Sequence, residues 1–368
     1  MNEDLLLYHI ALTKIPQIGD IHIGILLKQF NTAEEIFKAS KRELEHLPGF
    51  GAIRASQIKQ FRDFDQVKKE IEFVHKNHIQ VLVKGFVSYP HRLEHCIDSP
   101  HVLYYKGNAN LNEDKIISIV GTRTPTEYGR ERVSELISTL ASHKVLVISG
   151  LAYGIDTMVH KESVKNKIPT IAVLGHGFDY LYPFANKELA KSMISNGGLL
   201  TEFFHATKPD KQNFPRRNRV VAGMSDAIIV VESSEKGGSL ITADIGNSYN
   251  KDVLAFPGRA LDEHSSGCNQ LIRQHKANLI TCGKDLVEFM NWAPINHQKK
   301  IIQQELFLVL EVNEKIIYEI IREKQPISID EISYASSMKP SAIAAIILSL
   351  EMKSLVVSFP GKLFKTTN

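Results

Sequence analysis

The chain has 368 residues, of which 43% are hydrophobic, and its formal net charge is +3. This length predicts two or three domains, because a single core rarely grows beyond roughly 250–300 residues. The near-balanced charge excludes a polycationic chain, so any nucleic-acid binding must come from a local basic patch. Cys96, Cys268 and Cys282 are widely separated and form no CxxC pair, which argues against a disulfide framework or a zinc ribbon.

Features of exported and membrane-embedded proteins are missing from the sequence. No run approaches the ~20 apolar residues that a membrane helix needs. The opening residues, MNEDLLLYHI, carry neither a basic leader nor a cleavage site. We therefore expect a cytoplasmic protein that does not interact with membranes.

Residues 1–80 are predicted to form a helical domain, since apolar residues recur at helical spacing over residues 5–12 and 23–30. The segment LPGFGAIRA, residues 47–55, is similar to a SAM-like or helix-hairpin-helix turn. Its two glycines would let the backbone turn and present N–H groups at a helix start. The earlier IPQIG, residues 15–19, is a degenerate copy. Because many such hairpins only pack helices together, DNA contact and simple packing both stay open for this domain.

Residues 81–288 are predicted to form an α/β domain. Short segments rich in valine and isoleucine alternate with helical stretches, at residues 116–120, 145–149, 170–174, 199–202, 227–232, 253–256 and 278–282. This alternation is typical of a Rossmann-like, doubly wound and mostly parallel sheet. Ligands bind beyond the carboxyl ends of the strands in such sheets. The loops that follow the strands are therefore the candidate site.

Four of these loops carry groups that suit an anion. Their glycines, hydroxyls and cations are Gly121, Thr122, Arg123, Gly150, Gly175, Gly177, Lys236, Gly238 and Ser239. Glycine allows the backbone to approach a phosphate, and helix N-termini attract negative charge. None of the loops reads GxGxxG, so the dinucleotide-binding fingerprint is absent. Each loop alone could be an ordinary turn, but together they indicate a phosphate-binding edge.

The segment KQNFPRRNR, from Lys211 to Arg219, combines basic residues with an aromatic ring. Arginine presents a planar fork of donors that suits phosphate oxygens, and Phe214 offers a face on which a base can stack. A solvated basic helix start is the alternative for such a charge run. The neighbouring glycine loops favour a nucleic-acid groove, in which we expect Arg216 or Arg217 to reach DNA before Arg219.

Residues 289–305 are predicted to be a linker, and residues 306–368 a winged-helix-like domain. Three helices are expected near residues 313–323, 328–336 and 339–353, followed by a β-ribbon of residues 355–359 and 362–365. The third helix reads DNA in many winged-helix proteins. Here it carries AIAAIIL at residues 342–348 and hardly a charge, whereas base contacts need polar side chains. We expect this domain to bind protein or to pack.

The motifs, taken in order, resemble the DNA-processing protein A family (DprA, also called Smf). They are VGTR at 120–123, SGLAYGID at 149–156, AVLGHG at 172–177, FPRRNR at 214–219, GSLITA at 238–243 and FPG at 256–258. The agreement extends over roughly residues 80–285. Val159 and Gly237 depart mildly from the family, which usually has alanine and serine at these positions.

This resemblance implies a protein that binds single-stranded DNA without strong sequence preference and loads the RecA recombinase onto it. The family acts in natural transformation and recombination and forms a homodimer through its Rossmann-like domain. No cofactor and no catalysed reaction are expected. The family's DNA pocket carries over onto four residues: Arg123, Lys211, Phe214 and Lys236.

Three alternatives remain open. The first is a nucleotide-processing hydrolase of the lysine-decarboxylase-like Rossmann superfamily, in which Asp156 and His160, four residues apart, would form an acid–base pair. The second is a zinc site at HRLEH, residues 91–95, which matches the pattern H-x-x-E-H. The third is a duplex-DNA binder that uses the hairpin and the winged helix, which a preference for duplex over single strand would reveal.

Overall fold

The computed structural model describes residues 3–292, 311–353, 355–359 and 363–366. The chain divides into two compact units, residues 1–295 and residues 296–368. Each unit has its own hydrophobic core. Most of the predicted linker, residues 293–305, and the turn of the predicted ribbon, residues 360–362, lie outside the described residues.

Six helices open the first unit: α1 (Glu3–Leu12), α2 (Asp20–Gln29), α3 (Ala33–Lys38), α4 (Lys41–Glu45), α5 (Gly51–Gln60) and α6 (Phe64–Lys76). Ser40 and Glu43 form a capping box that starts α4. Gly49 and Gly51 have φ angles of 78° and 62° at the hairpin turn before α5, a conformation that favours glycine. The predicted N-terminal helical domain is therefore confirmed.

A nine-stranded sheet follows: β1 (Gln80–Val83), β2 (Val102–Gly107), β3 (Ile116–Val120), β4 (Leu146–Ser149), β5 (Thr170–Val173), β6 (Gly197–Thr201), β7 (Ala227–Val230), β8 (Asp252–Ala255) and β9 (Asn278–Leu279). The strand order is β1-β2-β6-β5-β4-β3-β7-β8-β9. Strands β3 to β9 pair in parallel, whereas β1 and β2 are antiparallel. The predicted doubly wound, mostly parallel sheet is confirmed, and β1 and β2 are additions.

Helices cover both faces of this sheet: α7 (His91–Glu94), α8 (Glu127–Leu140), α9 (Ile155–Lys165), α10 (Lys187–Ile194), α11 (Asn213–Gly223), α12 (Gly238–Ser248), α13 (Ser266–Arg273) and α14 (Gly283–Phe289). In β3, Ile116 and Val120 belong to the core on one face, while Ile117 and Ile119 belong to the core on the other. Burial on both faces explains why the strands read as continuous apolar runs.

The N-terminal helices pack onto the sheet near β2. Ile10 and Leu26 share a core with Tyr104, which lies in β2. The carboxylate of Asp20, at the start of α2, lies 3.2 Å from Nη2 of Arg219 in α11. The helical region and the α/β region are thus joined by both apolar packing and an ion pair.

The second unit contains α15 (Val312–Lys324), β10 (Ile327–Ser328), α16 (Ile329–Ser336), α17 (Pro340–Met352), β11 (Val356–Phe359) and β12 (Leu363–Thr366). Its three strands form an antiparallel sheet in the order β10-β12-β11. Isoleucines of all three helices form the core, for example Ile317, Ile332 and Ile343. Three helices with a small sheet confirm the winged-helix prediction.

Among all the helices of the described residues, none combines the length and the apolar composition that a membrane span requires.

Candidate nucleic-acid interface

A cavity of about 560 Å³ opens at the carboxyl edge of the sheet, beside the loops that follow β3 and β7. Strand β3 lies between β4 and β7, so the strand order reverses here, at the position where doubly wound sheets bind ligands. The predicted site residues that line this cavity are Gly121, Thr122, Arg123, Lys211, Phe214, Arg217, Gly238 and Ser239. Most of the predicted site therefore comes together.

The backbone of the Arg123 loop is fixed from two sides. The N–H of Thr122 donates to the carbonyl of Glu232 at 2.7 Å. The carboxylate of Glu232 accepts from the N–H of Thr126 at 2.9 Å and from its hydroxyl at 2.5 Å. The backbone of Gly154, which has a φ of 79°, packs directly against this loop. A Cβ at this position would lie 2.6 Å from Cα of Arg123. These contacts hold Arg123 at the cavity, while its side chain stays exposed.

Phe214 lies in the first turn of α11 and faces Arg123. The guanidinium carbon of Arg123 is 5.8 Å from the centroid of the Phe214 ring, within the range of a cation–π contact. A Cβ at Gly175 would lie only 2.8 Å from Cδ1 of this ring, so glycine makes room for it. The ring centroid of Tyr182 lies 5.7 Å away. The cavity thus combines an aromatic wall with a cation.

Arg217 is only 5% exposed. Its Nη1 donates to the carbonyl of Gly150 at 2.6 Å and also to the carbonyl of Val173. Burial lowers the pKa of Arg217, while the nearby carboxylate of Asp156 favours the charged form. Burial also disfavours the charged form of Asp156 and so raises the pKa of this carboxyl group, whereas the positive charge of Arg217 lowers it. Arg217 therefore braces the loop that follows β4 and the carboxyl end of β5 from beneath the cavity.

The N-terminus of α12 forms another wall of the cavity. Gly238 is its first residue, and a Cβ there would meet no atom within 4 Å, so the approach to the helix start is open. The hydroxyl of Ser239 donates to the hydroxyl of Ser233 at 2.8 Å. The first N–H groups of a helix lack intrahelical partners and lie at the positive end of its dipole. This wall suits an anion.

Three predicted residues lie away from the main cavity. Lys236 lines an adjoining recess of about 410 Å³. Arg216 is 55% exposed, and its Nη2 lies 2.8 Å from the Glu202 carboxylate. A Cβ at Gly177 would clash with the carbonyl of Phe204, so this glycine serves close packing. Gly150 and Gly175, by contrast, line a small recess continuous with the Phe214 wall.

The residues of the two chemical alternatives have other partners. The carboxylate of Asp156 accepts from the N–H of Ala152 at 3.2 Å, whereas Nδ1 of His160 lies 2.7 Å from the hydroxyl of Thr170. Burial lowers the pKa of His160 to about 3. In the part of the chain that the structure describes, which includes HRLEH, no group of three histidine, cysteine or acidic side chains is arranged to hold a metal.

Comparison with known protein families identifies the chain. The family model described as DNA recombination-mediator protein A matches residues 80–291, more than half of the sequence. This chain belongs to the DNA recombination-mediator protein A (DprA) family. Models described as a SAM-like helix-hairpin-helix tandem and a DprA winged helix domain match residues 10–62 and 310–362. The resemblance predicted from the motifs is confirmed.

Individual relatives agree with this assignment. Protein Smf of Synechocystis sp. is 28% identical over 96% of this chain and 97% of its own length. DNA processing protein DprA of Streptococcus pneumoniae is 40% identical over 55% of this chain and 71% of its own length. The X-ray structure of DNA processing protein A from Streptococcus pneumoniae covers 77% of this chain and 97% of the solved chain, with 31% identity and a TM-score of 0.66. A structure reported for the single-stranded DNA binding mode of DNA processing protein A from Helicobacter pylori is 27% identical, covers 59% of this chain and 99% of its own, and has a TM-score of 0.53.

Proposed function

We propose that this protein binds single-stranded DNA, without strong sequence preference, in the cavity between the β3 and β7 loops. The observation that carries the proposal is the placement of two exposed cations, Arg123 and Lys211, in the same cavity as the ring of Phe214. Arg123, Lys211 and the start of α12 would hold phosphates. Phe214 would stack on a base.

The geometry favours a single strand over a duplex. A base within a duplex is stacked between its neighbours, so a ring inside a cavity can reach it only in an unpaired strand. Contacts to phosphates and to base faces carry little sequence information, so we expect the site to bind single strands of many different sequences. Lys236 would hold a phosphate beyond the cavity, because the recess that it lines shares Ser234 with the cavity.

We also propose that the protein loads RecA onto the bound strand during recombination and natural transformation, in the cytoplasm, and forms a homodimer through its Rossmann-like domain. Membership of the DprA family supports these proposals. The function proposed is binding rather than catalysis, because Asp156 and His160 are engaged with separate partners. The solved relative from Helicobacter pylori, described by its single-stranded DNA binding mode, supports the choice of ligand.

Fluorescence anisotropy with labelled single-stranded and duplex oligonucleotides at two salt concentrations tests the proposal. We expect the single strand to bind more tightly and its affinity to fall as salt rises, because neutralised phosphates release counterions. Each phosphate contact on a single strand contributes about 0.7 to the slope of log affinity against log salt, so Lys211→Ala should have a smaller slope. Tighter binding of the duplex, or binding that is independent of salt, would contradict the proposal.

A further inference from the structure

Exposed aromatic rings continue beyond Phe214 along the edge of the site. Tyr182 is 40% exposed and Tyr153 is 48% exposed. The ring centroids of Phe214 and Tyr182 are 5.7 Å apart, and those of Tyr182 and Tyr153 are 6.4 Å apart. These three side chains form a continuous surface, called here the aromatic strip. Exposed rings that lie together on a protein surface mark sites of interaction.

The loop after β4 holds Tyr153 in place. Leu151, a buried residue of this loop, has a φ of 65°, a conformation that non-glycine residues keep only where the surroundings enforce it. The side chain of Asn186 donates to the Leu151 carbonyl at 3.0 Å, and the hydroxyl of Thr157 donates to the Ala152 carbonyl at 2.6 Å. The side chain of Tyr153 therefore extends from a braced backbone.

The rings of the aromatic strip do not stack on one another. The planes of Phe214 and Tyr182 are inclined by 44°, and those of Tyr182 and Tyr153 by 78°. Because the rings are inclined, no two of them cover each other face to face, and flat partners can stack on the ring faces that remain exposed. Arg123 lines the same small recess as all three rings, so a cation is close to any phosphate that joins two such partners.

We propose that Tyr182 and Tyr153 bind further bases of the strand that Arg123 and Phe214 hold, so that the strand leaves the cavity along the loop after β4. This inference rests on the proposed function. The rings suit flat bases, and the cations of Arg123 and Lys211 suit the phosphates between them. An oligonucleotide has both groups at regular spacing, which makes it the occupant that fits the strip.

The test compares two ligands of equal charge: an oligothymidylate and an abasic oligonucleotide of the same length. Wild-type protein should bind the oligothymidylate more tightly, because only this ligand can stack. Tyr153→Ala and Tyr182→Ala should each reduce this preference about tenfold, the scale of one base–aromatic contact. Binding of the abasic ligand should stay close to wild type, since the cations are unchanged.

Two controls separate stacking from folding. Tyr153→Phe keeps the ring and should keep the preference for the oligothymidylate. Phe289→Ala removes an aromatic residue that is 43% exposed on α14, outside the strip, and should behave like wild type. A full wild-type preference in both alanine variants would overturn the inference, as would equal weakening of both ligands, which would indicate a structural role. Failure of wild-type protein to bind either ligand would instead overturn the proposed function.

Discussion

Arg123 and Phe214 form the central contact of the candidate site, with the guanidinium carbon 5.8 Å from the ring centroid. Arg123 follows β3, whereas Phe214 belongs to α11, so the contact joins two distant segments of the chain. Gly175, after β5, leaves the space that the ring occupies. A cation and an aromatic face at one place allow the site to hold both the phosphate and the base of a nucleotide.

Gly175→Ala should weaken binding of single-stranded DNA several-fold. The added Cβ would lie 2.8 Å from Cδ1 and 3.2 Å from Cε1 of Phe214, so the ring must move. Gly24→Ala is the matched control, because a Cβ at that position in α2 meets nothing within 4 Å. The control should bind DNA normally and gain about 0.5–1 kcal/mol of stability. Anisotropy titrations check both variants, and normal affinity in Gly175→Ala would count against a role for the ring position.

Glu232→Gln should also weaken DNA binding, although the substitution makes the protein more positive. The Glu232 carboxylate accepts hydrogen bonds from Thr126, and the Glu232 carbonyl accepts one from Thr122, so both sides of Arg123 are fixed. Loss of the charged acceptor should loosen this loop. Glu235→Gln changes the net charge equally at an exposed position of the β7 loop, so it should leave affinity unchanged or raise it slightly. If both variants bind alike, Glu232 does not position Arg123.

Arg217→Met should destabilise the first unit by about 3–5 kcal/mol, because it leaves the buried Asp156 without its cationic neighbour. Arg216→Ala should cost less than about 1 kcal/mol, since Arg216 is 55% exposed. Arg219 also continues to pair with Glu202, at 2.6 Å. Urea unfolding followed by fluorescence of the single tryptophan, Trp292, measures both costs. Equal stability of the two variants would show that Arg217 does not brace the site.

His160 should make the protein less stable in acid. Burial lowers its pKa from 6.5 to about 3, so between these values the unfolded chain binds a proton that the folded chain does not. The free energy of unfolding therefore keeps its full contribution from neutral His160 above pH 6.5. Below pH 6.5 it falls by up to about 1.4 kcal/mol per pH unit, because the unfolded chain takes up the proton. His160→Gln should therefore lose less stability than wild type between about pH 7 and about pH 5. Parallel profiles of unfolding free energy would contradict this assignment.

The central strands were predictable from sequence because both faces of the sheet are buried, which produces uninterrupted valine and isoleucine runs. Strands β1 and β2 were missed because they are antiparallel and lie outside the strand–helix alternation. The predicted start of β6 was also late. This strand begins with Gly197 and Gly198, and glycine is rare in strands. Here Gly197 allows close approach of the Thr170 backbone, and Gly198 leaves room for the Tyr105 ring.

The site was predictable where a motif placed several groups side by side, as at Gly121, Thr122 and Arg123. The difference in burial between Arg216 and Arg217 was not predictable. Adjacent helical residues point about 100° apart, and the sequence does not show which of the two faces inward. Glu232 joins the site by accepting hydrogen bonds from Thr122 and Thr126, in the loop after the neighbouring strand β3, and Tyr182 joins it through the contact of its ring with Phe214. Such long-range contacts leave no local pattern in the sequence.

The most direct test of the account is the affinity of wild type and Arg123→Ala for a labelled single strand, measured by anisotropy at low and high salt. Wild type should bind tightly and lose affinity as salt rises, and Arg123→Ala should bind about tenfold more weakly or worse. Arg273→Ala removes an exposed arginine from α13, outside the cavity, and should bind nearly as wild type does. If Arg123→Ala binds as tightly as wild type, the cavity is not the DNA site.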